Sequence, residues 1–438
     1  MKKIPYRWVI AVTLFFCYSI QYLDRVKTAV LNPMIMKDIG LTVSGVGTGA
    51  MLMMIFYAPA QYISGYLTDK YGAKKVLIFS VIAWSVMTAW MGLIRTPMEY
   101  YYRMALFGLL VGTEYVPSAR VLMRWFNKGG RAKAQALLSW AWILTPAWAS
   151  VLATQMAVFF GGWRIVFIIT AGFGIVPLFL ILFLVFDRPE QYKYITQEEL
   201  EDSYQDELAA GILQKGEFKD TQAKILSQKE FSFLEMFKHR SYVAVIVVDI
   251  VMQIAFWGTL VFIPLYLSDV FKFKLAAMGM WSSLYFLAGA VGSFTSSYLS
   301  DKLFRNDRKV MILVCFIGLI PFILLLSSLK AADHSILALA LCGMGFFANM
   351  AWGPFLAVPA EIFTPEVYGK AMGFVNGVGY FVAAFAAKIF GMLVVIHANG
   401  SKTYTGAWVF IALCVVVGII GALFIKTSHP EEPAPAVG

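Results

Sequence analysis

The segment GYLTDKYGAKK, residues 65–75, decides the fold because it returns in the second half of the chain as SYLSDK, residues 297–302. Both copies end a long apolar stretch, and a pair of basic residues follows each of them, Lys74-Lys75 and Arg308-Lys309. Agreement in position and in the charges that follow is not expected by chance. We therefore interpret the chain as two parallel repeats joined by a linker.

Apolar stretches long enough to cross a bilayer surround both copies. A spanning helix needs about 20 mostly apolar residues, and 60% of the 438 residues are hydrophobic while 14% are charged. The sequence predicts an all-α membrane protein with twelve transmembrane helices in two six-helix bundles. The twelve predicted stretches are 8–32, 43–68, 75–94, 98–123, 132–159, 163–186, 241–270, 276–300, 308–329, 335–360, 366–395 and 404–425.

The spacing of the stretches divides the chain into four regions. Residues 1–186 are expected to form an N-terminal six-helix bundle, and residues 241–425 a C-terminal six-helix bundle. Residues 187–240 are charged and lack the apolar content of a core, so we expect a cytoplasmic linker there. Residues 426–438 are expected to be a disordered cytoplasmic tail.

Lysine and arginine counts orient the chain in the membrane. The side with both termini and the linker carries 24 of these residues in its loops and at the adjoining ends of the stretches, and the other side carries 7. Because cytoplasmic loops carry an excess of positive charge, both termini are expected in the cytoplasm. The short outer loops favour a multi-pass protein of a bacterial inner (cytoplasmic) membrane. The asymmetry also accounts for most of the net charge of +10, so we expect no nucleic-acid partner.

Enzymatic and metal-binding patterns are missing from the sequence. The four histidines, His239, His334, His397 and His429, are scattered in or beside loops and show no catalytic or metal-ligand spacing. The four cysteines lie in apolar stretches, where a thiol behaves as a small hydrophobe. We therefore expect neither an enzyme nor a metal site.

The segment 65–75 resembles the loop signature of the major facilitator superfamily in its Gly65, Leu67, Asp69-Lys70, Gly72 and Lys74-Lys75. Three further motifs are similar to the anion:cation symporter branch, which includes sugar-acid, hexuronate, tartrate and phthalate importers: Tyr22-x-Asp24-Arg25, Phe126 with Arg131-Ala132, and Asp187-Arg188-Pro189-Glu190. The resemblance covers essentially the whole chain. It implies the major facilitator fold and a proton-coupled importer of small organic anions.

Asp24 and Arg25 are adjacent charges inside the first stretch, where an ionisable group is costly and therefore a functional candidate. A carboxylate there can take up a proton, and a guanidinium offers a planar fork that fits a substrate carboxylate. We predict proton coupling at Asp24 and substrate binding at Arg25. An ion pair that only joins two helices is the alternative.

Lys27 and Glu114 are two more charges inside predicted helices. Lys27 stands where the family more often has asparagine; it either adds a positive group for the substrate or neutralises Asp24 or Glu114. Glu114 lies about one turn from the position where the family usually has a protonatable glutamate. The resemblance implies a second proton-coupling role for Glu114.

Further candidates follow from positions similar to the family's. A carboxylate near a helix N-terminus is favourable, so the two loop segments are expected to act as latches between conformations. The predicted substrate-binding residues are Tyr22, Arg25, Lys27, Tyr57, Arg103, Trp352 and Asn376, and the predicted gating residues are Asp69, Lys70 and Asp301. Packing is the alternative for the tyrosines and the tryptophan.

The predicted function is secondary active import of a small organic anion, coupled to protons by alternating access. A sugar acid such as a hexonate, hexarate or hexuronate is the first expectation. Tryptophans crowd the fifth stretch, so an aromatic or other carboxylate is an alternative, as is efflux of a drug or metabolite. The proton gradient is the expected energy source in place of a cofactor, the expected partners are the anion, protons and lipid, and we expect a monomer.

Overall fold

The structure, a computed structural model, describes residues 5–205, 208, 236, 237, 239–302, 308–329, 333–362 and 365–425. We number the α-helices of this part α1 to α16 in chain order. They are α1 Tyr6–Ile39, α2 Val43–Tyr71, α3 Ala73–Met91, α4 Pro97–Val111, α5 Tyr115–Trp125, α6 Lys128–Phe159, α7 Trp163–Gly172, α8 Ile175–Leu184, α9 Gln197–Ser203, α10 Arg240–Asp269, α11 Leu275–Lys302, α12 Arg308–Ser328, α13 His334–Met350, α14 Trp352–Ile362, α15 Pro365–Met392 and α16 Thr405–Leu423. A 3₁₀ turn covers Pro189–Gln191, and strands β1 (Val395–Ile396) and β2 (Lys402–Thr403) pair antiparallel.

Helix ends in the first half follow local sequence signals. The side chains of Thr42, Thr96 and Asn127 accept backbone N–H groups at the starts of α2, α4 and α6, at 3.0, 3.2 and 3.0 Å. Such caps satisfy N–H groups that have no partner within the helix. Gly40 and Gly72 end α1 and α2 with φ of +69° and +92°, a conformation that glycine adopts without strain.

Eleven helical stretches of the described residues are long and apolar enough to cross a membrane. The fourth predicted stretch, 98–123, is not among them because it is interrupted: α4 ends at Val111 and α5 begins at Tyr115. Counted as one crossing, α4 and α5 bring the number to the predicted twelve. Large apolar side chains such as Phe79, Phe183 and Leu413 are exposed on outer faces, as a lipid environment requires.

The helices pack as two halves. In the first half α1 packs on α6, α2 on α4 and α3 on α7; in the second half α11 packs on α13, α10 on α15 and α12 on α16. Among the described residues, the most extensive contacts between the halves are those of α2 with α15, α6 with α11 and α1 with α10. The middle of α1 therefore faces the second half.

Glycines bring the halves close together at the end opposite the chain termini. A methyl group on Gly47 of α2 would lie 2.7 Å from the Ala387 carbonyl oxygen of α15, and one on Gly391 of α15 would lie 3.0 Å from the Val43 carbonyl oxygen. At the other end of α15, a methyl group on Gly373 would meet nothing within 4 Å. The halves are thus in backbone contact at one end of the α2–α15 interface.

The start of the predicted linker lies at the same end of the first half as the N-terminus. The ring of Tyr6 stacks on Tyr192 at 3.7 Å between centroids, and Arg7 forms an ion pair with Asp202. Asn127, which caps α6, donates to Asp202 at 3.0 Å. Most of the remaining linker and all of the predicted tail, 426–438, lie outside the described residues.

Candidate functional site

Arg25 lies at the centre of the molecule within a group of aromatic rings. Its guanidinium carbon is 5.0 Å from the ring centroid of Tyr22 on α1, 4.5 Å from Tyr57 on α2 and 6.0 Å from Trp257 on α10. Tyr380 of α15 stacks on Tyr57, with 4.7 Å between centroids. Both halves therefore contribute rings around one cation.

The guanidinium of Arg25 has no acceptor in hydrogen-bonding geometry and no carboxylate partner among the described residues, and the phenol groups of Tyr22 and Tyr57 are the polar groups beside it. Its three nitrogens are buried, and the whole residue is 3% exposed. Ring faces attract a cation, but they leave the N–H donors of the planar fork free. A small cavity beside it is lined by Asn32 and Tyr100 as well as Arg25. This arrangement can receive an anion and satisfy its oxygens with paired N–H groups.

Asp24 and Lys27 form a closed ion pair on another side of α1. The Lys27 ammonium pairs with Asp24, donates to the Thr170 hydroxyl at 2.6 Å and lies 4.6 Å from the Phe167 ring centroid. The Thr88 hydroxyl donates to the second carboxylate oxygen of Asp24 at 2.6 Å. Lys27 is thus placed to neutralise Asp24, and these contacts join α1, α3 and α7 within the first half. The substrate role of Lys27 stays a prediction that no contact supports.

Side chains of three earlier helices form hydrogen bonds with the groups at the break between α4 and α5. Gln21 of α1 donates to the Val111 carbonyl at 2.7 Å, and Ser64 of α2 donates to the Thr113 carbonyl at 2.6 Å. The Ser80 hydroxyl of α3 lies 2.7 Å from the Thr113 hydroxyl. Backbone groups that lose their helical partners inside a bilayer need such hydrogen bonds. The packing of the first half therefore stabilises the interruption.

Glu114 is the residue at this break, immediately before α5. It is fully buried, and neither carboxylate oxygen has a partner in hydrogen-bonding geometry in the described part of the chain, although the Trp84 indole and the Arg25 guanidinium lie beside it. Two cations that could pair with Glu114 are engaged elsewhere, Lys27 with Asp24 and Arg120 with Asp69. Glu114 is therefore a buried carboxyl group without an ion pair among the described residues.

Arg103 lies away from the aromatic group. It pairs with Glu99 at 3.0 Å, donates to the Trp90 carbonyl at 2.5 Å and stacks on the Trp90 ring at 4.7 Å. These contacts hold the start of α4 to the end of α3, near the end of the molecule opposite the termini. The structure does not bring Arg103 to Arg25.

Trp352 and Asn376 reach the aromatic group through intermediates. The Trp352 ring meets Trp142 edge-on at 4.8 Å, and Phe256 joins Trp142 to Trp257. Asn376 accepts a hydrogen bond from Gln253 at 3.1 Å and donates one to Gln61 at 3.4 Å. Both residues lie near the interface of the halves, one in an aromatic chain and the other in an amide chain.

Two of the predicted gating residues, Asp69 and Lys70, lie at the termini end of α2. Asp69 pairs with Arg120 of α5, and the Lys70 ammonium lies 5.3 Å from the Tyr71 ring. The carboxylate that meets the start of α3 is that of Asp187, which accepts the Lys74 backbone N–H at 2.6 Å. Asp301 lies in the last turn of α11, and its side chain is outside the described part of the structure.

Three residues of the site were not among the predicted site residues. Trp257, Tyr380 and Gln253 are apolar or uncharged and lie in stretches rich in similar residues. The only available signal was the four-residue spacing of Gln253 and Trp257, which places them on one helix face. Among the described residues, no group of three or more His, Cys, Asp or Glu side chains could hold a metal ion.

Two packed helical halves built from repeats are typical of membrane transporters, in which the substrate site lies at the interface of the repeats. The model of the Major Facilitator Superfamily matches residues 14–387, with a second match at 250–437. The chain therefore belongs to this superfamily. The fold that the sequence predicted is confirmed, and the chain is a multi-pass transporter rather than an enzyme.

Curated relatives cover nearly the whole chain. A probable sulfoacetate transporter of Cupriavidus necator is 25% identical over 449 residues, which cover 100% of this chain and 98% of the relative. A probable galactarate/D-glucarate transporter of Escherichia coli is 26% identical over 439 residues, which cover 96% and 94%. These similarities are consistent with the anion:cation symporter branch.

Solved structures share the fold. The xylose transporter of Escherichia coli in its inward open conformation gives a TM-score of 0.72 at 15% identity, covering 97% of this chain and 98% of that one. A bacterial homologue of the human lysosomal transporter Spinster gives a TM-score of 0.71 at 15% identity, covering 97% of both chains.

Proposed function

We propose that this protein imports a small organic anion and binds its carboxylate or sulfonate at Arg25. The observation that carries the proposal is the buried guanidinium of Arg25, whose nitrogens have no acceptor among the described residues. A buried cation without a partner is costly, and an anionic substrate group would remove that cost. The names of the curated relatives, which refer to sulfoacetate and to galactarate/D-glucarate, support an organic acid.

Two substrate classes remain in the proposal. Sugar acids follow from the resemblance and from the relatives' names. The rings of Tyr57 and Trp257 against Arg25 favour an acid with few hydroxyl groups, whereas the Asn32 side chain in the adjoining cavity favours a hydroxylated one. Export of a drug or metabolite is the remaining alternative, and the direction of net transport decides it.

We infer that Glu114 carries the coupling proton. An ionised carboxylate in a buried site without a partner is costly, and protonation removes that cost. Asp24 is in a different situation, because Lys27 and Thr88 already satisfy both of its oxygens. The proton role of Asp24 therefore rests on the resemblance, and that of Glu114 also has support from geometry.

The first experiment is tracer uptake and current in proteoliposomes, with a panel of galactonate, galactarate, sulfoacetate and benzoate at two external pH values. We expect uptake of one acid that increases when the outside is acidic. Absence of uptake and of exchange for the whole panel, in protein shown to be folded, would contradict the proposal.

Glu114→Gln tests the coupling. We expect loss of accumulation against a gradient with retention of substrate exchange, because the amide cannot pick up and release a proton. Glu99→Gln is the matched control, since Glu99 is part of the Arg103 pair and lies outside the site. If Glu114→Gln still accumulates substrate as the wild type does, Glu114 is not the coupling residue.

A further inference from the structure

Asp249 is a buried carboxyl group in the second half that the proposed site does not use. It lies on α10, is 1% exposed, and its Oδ2 atom has no hydrogen-bond partner among the described residues. The backbone of Gly379 on α15 packs directly against it, and a methyl group there would overlap Oδ2. A larger residue at 379 would displace the carboxyl group.

Asp249 shares one face of α10 with two residues of the site. Asp249, Gln253 and Trp257 follow one another at four-residue spacing, which places them in a row on the helix. Trp257 contacts Arg25. At 1.5 Å per residue, Asp249 is about 12 Å from Trp257 along the helix axis. The carboxyl group of Asp249 thus lies at one end of this row, and the guanidinium of Arg25 lies beside its other end, at Trp257.

A chain of amide side chains connects this row to the other half. Gln253 donates to Asn376 of α15 at 3.1 Å, and Asn376 donates to Gln61 of α2 at 3.4 Å. Because α2 and α15 belong to different halves, movement of one half against the other changes the contact between Gln61 and Asn376. That change reaches Gln253, one turn from Asp249.

No charged side chain of the described residues is paired with Asp249. The amide of Gln253 is the polar side chain beside it on its own helix, and the backbone of Gly379 packs against it from α15. On α1, Arg25 contacts Trp257 at the other end of the row. Within their described side chains, α11 and α16 carry no charged residue, and the titratable groups of α13 are His334, in its first turn, and the thiol of Cys342. On α14, the side chain of Glu361 is outside the described part.

We propose that Asp249 is a second proton-binding site, located in the second half and exchanged in step with the movement of the halves. In the packed state its buried Oδ2 has no donor, so the neutral carboxyl form avoids the cost of an unpaired charge. When α2 and α15 separate, the amide chain opens, water reaches the carboxyl group and the proton leaves. The inference rests on the proposed function for its role in transport, but protonation of Asp249 does not depend on the substrate.

Infrared spectroscopy of the purified, substrate-free protein tests the protonation directly. The absolute spectrum of Asp249→Asn is compared with that of the wild type in the carbonyl-stretch region of protonated carboxyl groups, at neutral pH. We expect the variant to lose one band, and Glu114→Gln to lose a different one. Asp269→Asn on the same helix is the control, since Asp269 is paired with Lys402 at 2.8 Å, and it should remove no such band. Identical spectra for Asp249→Asn and wild type would overturn the proposal.

Charge per transported molecule tests the link to transport. With any acid of the panel that is taken up, Asp249→Asn should move one elementary charge less per molecule than the wild type, and Asp249→Glu should restore it. An unchanged ratio in Asp249→Asn would overturn the coupling role. If no acid is taken up at all, the proposed function fails, and the infrared result alone decides whether Asp249 binds a proton.

Discussion

Arg25 is held by ring faces and by no carboxylate of the described residues, which is rare for a charge inside a membrane protein. Aromatic faces stabilise the cation without occupying its N–H groups. The site is therefore electrostatically prepared for an anion while its hydrogen-bonding capacity is unused. The expected result is strong dependence of binding on the fork shape of the guanidinium and not on charge alone.

Arg25→Lys tests this dependence. The substitution keeps the charge and removes the bidentate fork, so we expect a loss of about 1.5–3 kcal/mol, or about 10- to 150-fold in affinity. Binding is measured as the Kd of whichever panel acid is transported. Arg164→Lys is the control, because Arg164 pairs with Asp38 near the surface. Wild-type affinity in Arg25→Lys would show that the substrate does not contact the fork.

Substitution of Lys27 tests whether this residue forms a structural ion pair or binds the substrate. Lys27→Met leaves Asp24 buried without its partner, which costs about 3–5 kcal/mol, so we expect a lower melting temperature. Adding Asp24→Asn to Lys27→Met should recover most of that loss. If Lys27→Met melts like the wild type but binds substrate weakly, Lys27 is a substrate ligand.

Among the secondary-structure elements, α2 and α15 determine how closely the halves approach. Gly47→Ala adds a methyl group 2.7 Å from the Ala387 carbonyl oxygen, so we expect the halves to move apart at the end opposite the termini. Spin labels at Met98 and Met392, both exposed, should report longer distances in a background without the native cysteines. Gly172→Ala is the control, because its methyl group would meet nothing within 4 Å. Unchanged distances in Gly47→Ala would mean that this contact does not limit closure.

Sequence patterns predicted the helices well and their partners poorly. The repeat, the apolar stretches and the caps at Thr42, Thr96 and Asn127 are local signals, so twelve crossings and most helix ends could be derived. The interruption at 112–114 could not, because its stability comes from three helices distant in sequence. Trp257 and Tyr380 could not be predicted as site residues for the same reason, because the packing of α10 and α15 against the first half places their rings near Arg25. The sequence alone could not decide whether Lys27 pairs with Asp24 or binds substrate. The Thr170 hydroxyl that also holds the Lys27 ammonium comes from α7, a helix distant in sequence.

In the molecule as a whole, the two repeats share a fold but divide the chemistry. The first half supplies Arg25, Glu114 and the Asp24–Lys27 pair, and the second half supplies Trp257 and Asp249. The first half supplies the cation and the rings of Tyr22 and Tyr57, and the second half adds Trp257 and Tyr380, so the group of rings is complete only when the halves are together. Such division is what alternating access requires, since movement of either half then alters binding.

Orientation of the whole molecule has a direct test. We expect a fluorescent protein fused after Gly438 to fluoresce and alkaline phosphatase at the same place to be inactive, because positive charge concentrates at the termini end. The control is phosphatase inserted at Asn399, in the loop that joins α15 to α16 at the other end, where activity is expected. Active phosphatase at the C-terminus would reverse the orientation.

The interrupted fourth crossing also has a consequence for biosynthesis. Its segments are short and carry Arg103, Glu114 and Arg120, charges that each oppose entry into the bilayer by about 2.5–3.5 kcal/mol at mid-depth. The partners that complete the break, Gln21, Ser64 and Ser80, all precede it in the chain. Because a chain is synthesised from its N-terminus, α1, α2 and α3, which carry these partners, leave the ribosome before the interrupted fourth crossing does.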